Sequence, residues 1–118
     1  MDGTFLNSQK DYNRERFADL YAELKKRDIK FVVASGNQSF QLKSFFPDIS
    51  NELTFAAENG AHVISKEEAL FAADMPRHAV ERALTILAAD QQVEGIICGI
   101  NSAYILEAAP ETFYNNTH

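Results

Sequence analysis

Three short polar segments of this chain carry the residue types that could do chemistry. They are Asp2-Gly3-Thr4, Ser35-Gly36-Asn37 and Glu58-Asn59-Gly60. A carboxylate can transfer a proton or attack an electrophile, whereas a hydroxyl beside exposed backbone amides can hold the oxygens of an anion. Each segment is also an ordinary turn sequence when it stands alone, and Ser35 could simply cap a following helix.

The hydrophobic pattern between these segments predicts the elements that would position them. Apolar residues at helical spacing over residues 17–24 indicate an amphipathic helix. Residues 30–34 form an apolar, β-branched run that is typical of a parallel strand buried on both faces, and residues 53–57 predict a second strand. A short helix over residues 40–46, closed by Pro47, separates the two strands. Because the second and third segments follow these strands directly, we expect both at the ligand-binding edge of an open sheet.

The pattern changes after residue 60. Two strand-like runs joined by Lys66-Glu67-Glu68 predict a β-hairpin, residues 79–87 predict a helix, and two apolar runs around Asn101-Ser102 predict a second hairpin. This order predicts an α/β protein of two units, residues 1–75 and residues 76–118. The second unit is expected to be incomplete, because about 40 residues with one helix and one hairpin bury too little surface for an independent core.

Composition excludes several kinds of partner. The chain has 118 residues, a net charge of -6 and a longest basic run of three residues, so we predict no nucleic acid partner. No apolar stretch approaches the roughly 20 residues that span a bilayer, so no membrane partner is expected. The single cysteine, Cys98, fits a cytoplasmic protein and is expected to be buried and inert. Phe40, Phe45 and Phe46 are expected in the core.

The strings MDGTFLNS, VVASGN and AENGA, in this order and at this spacing, resemble the haloacid dehalogenase phosphatases. The resemblance is to the Cof-type, sugar-phosphatase-like branch, whose α/β cap of the C2 type lies between the second and third motifs. It implies a partial Rossmannoid parallel sheet of the family core in residues 1–75 and the beginning of the α/β cap in residues 76–118.

The resemblance also implies roles for the first segment. The family motif is Asp-x-Asp-Gly-Thr, which places Met1 at the variable position and makes Asp2 the second acid, the general acid and base. The nucleophilic aspartate would then precede Met1. The backbone carbonyl of Asp2 would coordinate Mg²⁺, and Thr4 would help to fix the acid and the substrate phosphate.

By the same resemblance the other two segments bind substrate. Ser35 would hold the phosphate with the Gly36 amide beside it, Asn37 would lie near the substrate, and Asn59 would face the active site. The Lys and the acid pair that complete the family's phosphate and magnesium sites cannot be placed in this sequence.

The implied activity is magnesium-dependent hydrolysis of small phosphate monoesters, such as sugar phosphates, through an aspartyl-phosphate. The implied partner is a small phosphorylated metabolite. Two alternatives stay open: a phosphosugar mutase of the same branch, and a noncatalytic, truncated piece whose unpaired strand edges would favour oligomers. We expect the 118-residue chain alone to be inactive.

Overall fold

The computed structural model describes residue 1, residues 3–90 and residues 93–106. Its tertiary contacts divide the chain into one unit, Met1–Ala72, and a second unit that begins at Ala73. The division falls close to the boundary that the sequence places after residue 75. The identification of the two units as family core and cap stays a prediction.

The first unit contains a four-stranded sheet, two α-helices and two short 3-10 helices, Ser50–Glu52 and Glu58–Gly60. Its elements are α1 (Arg14–Lys26), β1 (Val32–Ala34), α2 (Ser39–Ser44), β2 (Thr54–Ala57), β3 (His62–Ser65) and β4 (Glu68–Ala72). The strands lie in the order β1-β2-β3-β4, with β1 and β2 parallel and the other two pairs antiparallel. The predicted α/β class is confirmed, but the sheet is mixed, because short connections return a strand antiparallel to its neighbour.

Local sequence explains where α1 begins and ends. The side chain of Asn13 accepts a hydrogen bond from the Arg16 N–H at 2.8 Å, which satisfies one of the unpaired amides of the first turn. Lys25 and Lys26 occupy the last turn, where the helix dipole favours cations. Phe17 is the residue that α1 buries, so this helix supplies one side of the core.

The core lies between the helices and the sheet. Its buried members are Phe17, Val33, Leu42, Phe46, Leu53, Phe55 and Ala57. Two predictions about burial are wrong. Phe40 is 49% exposed, because it lies on the outer side of a six-residue helix whose buried positions are Ser39 and Leu42. β1 buries only Val33, and Val32 is 50% exposed, because in the described structure β1 is the end strand of its sheet.

A tyrosine joins the start of α1 to the segment after α2. The Tyr12 hydroxyl donates to the Phe45 carbonyl at 2.8 Å, and the Arg14 guanidinium donates to the same carbonyl at 3.2 Å. Burial raises the pKa of Tyr12. The Tyr12 ring also packs on Phe17 and Phe46, with centroids 5.4 Å and 5.5 Å away, so its apolar body belongs to the core while its hydroxyl is paired.

The second unit contains the predicted helix and hairpin. They are α3 (Arg77–Ala89), β5 (Ile96–Cys98) and β6 (Ala103–Ile105), and the two strands pair antiparallel with Ile97 opposite Tyr104. Cys98 is exposed, so the prediction of a buried thiol is wrong. Its strand belongs to a two-stranded sheet, which leaves alternate side chains uncovered. Within the described ranges, no helix has the length and apolar character needed to cross a membrane.

Candidate functional site

The parallel pairing of β1 with β2 brings the ends of these strands to one edge of the sheet. Ala34 lies opposite Ala56 in the register, and the Ser35 N–H continues the ladder by donating to the Ala56 carbonyl at 3.1 Å. The segments that follow the two strands are therefore neighbours, as the sequence predicts for the ligand-binding edge.

Backbone hydrogen bonds join the two segments beyond the strands. The Asn59 N–H donates to the Ser35 carbonyl at 3.0 Å, and the Glu58 N–H donates to the Asn37 carbonyl at 3.1 Å. The Asn59 side chain lies over Gly36, where an added Cβ atom would be 3.1 Å from Oδ1. The structure thus brings together Ser35, Gly36, Asn37 and Asn59, four of the six residues that the resemblance assigns to the site.

The position of the Ser35 hydroxyl decides one alternative. Its oxygen accepts a hydrogen bond from the Asn37 N–H at 3.3 Å, and the side chain is half-buried. The N-cap of α2 is Gln38, and no side chain caps that helix. The interpretation of Ser35 as a plain helix cap is therefore wrong, and its hydroxyl stays within a turn at the edge of the sheet.

The backbone after β2 is in a conformation that few residues adopt. Glu58, Asn59 and Gly60 have φ angles of 51°, 55° and 93°. The left-handed region costs a residue with a side chain about 1–2 kcal/mol, less for Asn, and such conformations cluster at functional sites. The Asn-Gly pair predicts a turn here, but a left-handed glutamate has no sequence signal of its own. The sequence therefore predicts that Glu58 lies at this edge, but it does not predict the left-handed backbone of Glu58.

Gly3 and Thr4, the described residues of the first segment, lie in a turn beside β1. The Thr4 hydroxyl donates to the Met1 carbonyl at 3.1 Å, and the Phe5 N–H donates to the same oxygen at 3.0 Å. Thr4 lines a cavity of about 190 Å³ together with Ala34, the residue before Ser35. Thr4 is thus close to the end of β1. Asp2, the predicted general acid and base, lies outside the described residues.

The described residues do not form a metal site by themselves. Among residues 1, 3–90 and 93–106, no group of three or more His, Cys, Asp or Glu side chains could hold a metal ion. The one ligand that the resemblance assigns to this chain, the carbonyl of Asp2, lies outside the described residues.

Related proteins resemble this chain along nearly all of its length. The 5-amino-6-(5-phospho-D-ribitylamino)uracil phosphatase YbjI of Escherichia coli K12 is 50% identical over 107 residues, which cover 91% of this chain and 40% of YbjI. The crystal structure of SMU.1108c from Streptococcus mutans UA159 is 36% identical with a TM-score of 0.88, over 98% of this chain and 44% of that one. The chain spans less than half the length of both relatives.

A more distant structure shows the same fold. The structure of BT1666 from Bacteroides thetaiotaomicron superposes with a TM-score of 0.75 at 15% identity, over 99% of this chain and 44% of that one. BT1666 is named among the phosphatases of the haloalkanoate (HAD) enzyme superfamily. In sequence, residues 1–118 match the haloacid dehalogenase-like hydrolase family. The fold, the order of the three segments and these relatives agree, and the chain belongs to the haloacid dehalogenase-like hydrolase family.

Proposed function

We propose that the protein is a magnesium-dependent phosphatase that hydrolyses small phosphate monoesters through an aspartyl-phosphate. The observation that carries this proposal is the joined pair of turns after β1 and β2. It presents the Ser35 hydroxyl and the backbone of Gly36 at the sheet edge where ligands of open α/β folds bind. The 50% identity to a protein named as a phosphatase supports the same activity.

The proposed chemistry has two steps. A nucleophilic carboxylate attacks phosphorus, the ester P–O bond breaks, and Asp2 gives its proton to the leaving oxygen. Asp2 then takes a proton from water as the water oxygen attacks the phosphoenzyme, which releases orthophosphate and regenerates the carboxylate. Ser35 and the Gly36 amide hold the phosphoryl oxygens during both steps. Splitting the reaction in this way requires one acid as nucleophile and another as proton carrier.

We propose that the nucleophile comes from a strand that pairs with the free side of β1. β1 is the end strand of the described sheet, and Val32 on it is half exposed. The cavity of about 190 Å³ beside it is lined by Met1, Phe5 and Phe31 among others. A further parallel strand at this place would end beside Ser35, because neighbouring parallel strands end at the same edge.

We further propose that the substrate is a small phosphorylated metabolite of the sugar or sugar-alcohol type, and that the enzyme is cytoplasmic. YbjI is named for a substrate that carries a phosphorylated ribityl group, which belongs to this chemical class. The net charge of -6 gives no support for a nucleic acid partner. Magnesium is proposed as the cofactor because a transferring phosphoryl group needs its charge neutralised.

The test is phosphate release by the full-length gene product. We expect orthophosphate from a panel that includes sugar phosphates and phosphorylated ribitylaminouracil, loss of the activity with EDTA, and recovery with Mg²⁺. Conversion of a hexose monophosphate into its isomer without orthophosphate would favour the mutase. No reaction of the full-length protein with any ester would contradict the phosphatase.

A further inference from the structure

Gly36 and Asn59 fit together across the gap between the two turns. A Cβ atom on Gly36 would lie 3.1 Å from Asn59 Oδ1 and 3.3 Å from Asn59 Nδ2, closer than most side chains approach one another. Gly36 is not in the left-handed region. The absence of a side chain at position 36 is therefore needed for this close approach and not for the backbone conformation.

Asn59 is held in place by its own backbone. Its φ of 55° is left-handed, and its N–H donates to the Ser35 carbonyl at 3.0 Å. The neighbouring Glu58 is left-handed as well and donates to the Asn37 carbonyl at 3.1 Å. These two hydrogen bonds fix both ends of the Ser35-Gly36-Asn37 turn, and the Asn59 carboxamide packs against Gly36 at its centre.

We propose that Asn59 is a positioning residue that fixes the Ser35-Gly36-Asn37 turn in the geometry that holds a phosphoryl group. This proposal rests on the proposed phosphatase function and gives Asn59 a role that needs no contact with substrate. The hydrogen bonds and the contact of Asn59 keep the Ser35 hydroxyl and the Gly36 amide preorganised, so that neither group has to move when charge develops on the phosphoryl oxygens. The strained backbone after β2 is then part of the site and is maintained by the surrounding contacts.

Asn59→Gly tests whether the Asn59 side chain positions the turn or whether asparagine is needed only because it accepts a left-handed φ angle. Glycine adopts φ near 55° without strain, so it keeps the backbone conformation and removes the side chain with its carboxamide. If the carboxamide positions the turn, kcat/KM of the full-length protein for its best phosphate ester falls about tenfold, mostly in kcat. Lys66→Gly is the matched control. Lys66 is also left-handed, with φ 48°, and lies in the turn between β3 and β4. Its N–H donates to the Leu53 carbonyl, at the end of β2 that is opposite the candidate site.

Gly36→Ala tests the contact from the other side. The added methyl group meets the Asn59 carboxamide, so we expect Tm to fall by about 3–6 °C and kcat/KM to fall. In the Asn59→Gly background the methyl group has room. There, Gly36→Ala should leave Tm unchanged, and the double variant should have the kinetic constants of Asn59→Gly alone.

Two results would overturn the proposal. One is a kcat/KM of Asn59→Gly within twofold of the wild type, and the other is the same fall in Tm from Gly36→Ala in both backgrounds. A full-length protein with no turnover of any phosphate ester contradicts the proposed function instead. The positioning role of Asn59 is then decided by the unfolding comparison, which needs no activity.

Discussion

At the scale of single residues, the chemistry proposed for this chain depends most on Asp2, which transfers a proton in both steps. Asp2→Asn keeps the size of the side chain and removes the proton carrier. We expect kcat for an unactivated phosphate ester to fall about 100-fold or more, since general acid–base catalysis contributes roughly 10²–10⁴-fold. The loss should be smaller for an aryl phosphate, whose leaving group needs less protonation. Steady-state kinetics on the full-length protein with both esters checks this.

Asp28→Asn is the control for that substitution. This substitution also changes an acid to an amide, but at an exposed position after α1, where Asp28 pairs with Lys30 at 2.6 Å. Hydrogen bonding to Lys30 lowers the pKa of the Asp28 carboxyl, but a pair this exposed contributes little to folding. Asp28→Asn should therefore turn over normally. An Asp2→Asn protein that keeps more than a tenth of the wild-type kcat on both esters would remove Asp2 from the mechanism.

Individual site residues could be predicted where they come at the end of an apolar run that forms a strand. Ser35 follows one apolar run directly, Asn59 follows another after Glu58, and the structure joins the backbones of Ser35 and Asn59 by a 3.0 Å hydrogen bond. Pairwise fit was not predictable, because the contact of Gly36 with Asn59 depends on how two turns far apart in sequence are folded together. The sequence pattern also could not separate Phe46, 1% exposed, from Phe40, 49% exposed, in one short aromatic run.

At the scale of elements, Tyr12 tests how the start of α1 is fixed to the segment after α2. Tyr12→Phe removes the hydroxyl that donates to the Phe45 carbonyl at 2.8 Å and leaves the ring in the core. The variant should lower the free energy of unfolding by about 1 kcal/mol, the usual net value of one such hydrogen bond. Urea unfolding of wild type and variant measures it.

Tyr21→Phe is the control, because the hydrogen bond of the Tyr21 hydroxyl to Glu52 is exposed and 3.4 Å long, whereas that of Tyr12 is partly buried and 2.8 Å long. Glu52 also receives a hydrogen bond from Lys25 at 2.6 Å. The hydrogen bond from Lys25 lowers the pKa of Glu52, and this pairing survives without the tyrosine hydroxyl. Tyr21→Phe should change stability by only a few tenths of a kcal/mol. Equal effects of the two substitutions would show that the Tyr12 hydrogen bond adds nothing specific.

The order of helices and strands followed from periodicity and turn residues, but burial of the strands did not. Residues 30–34 have the apolar pattern of a central strand, yet β1 is the end strand of the described sheet and Val32 is 50% exposed. An apolar sequence pattern indicates that a strand can be buried on both faces. The exposed fraction of its side chains depends on which neighbouring elements are present. The same reason explains Cys98, an apolar-run residue that the two-stranded sheet leaves exposed.

At the scale of the whole molecule, the family follows from agreement between the segments, the fold and the relatives. SMU.1108c shares the fold of this chain with a TM-score of 0.88, although the matched part is 44% of its length. The family resemblance places the beginning of the cap in residues 76–118, within the second unit, which begins at Ala73, and this assignment stays a prediction.

The most direct test of the central claim is the effect of Ser35→Ala on phosphate release by the full-length protein. If Ser35 holds the transferring phosphoryl group, kcat/KM falls about 100-fold, the usual effect of removing one preorganised donor. Ser44→Ala, which removes an exposed hydroxyl bonded to the Gln41 carbonyl in α2, should keep wild-type kinetics. A Ser35→Ala protein whose kcat/KM stays within twofold of the wild type would contradict the placement of the phosphate site at this edge of the sheet.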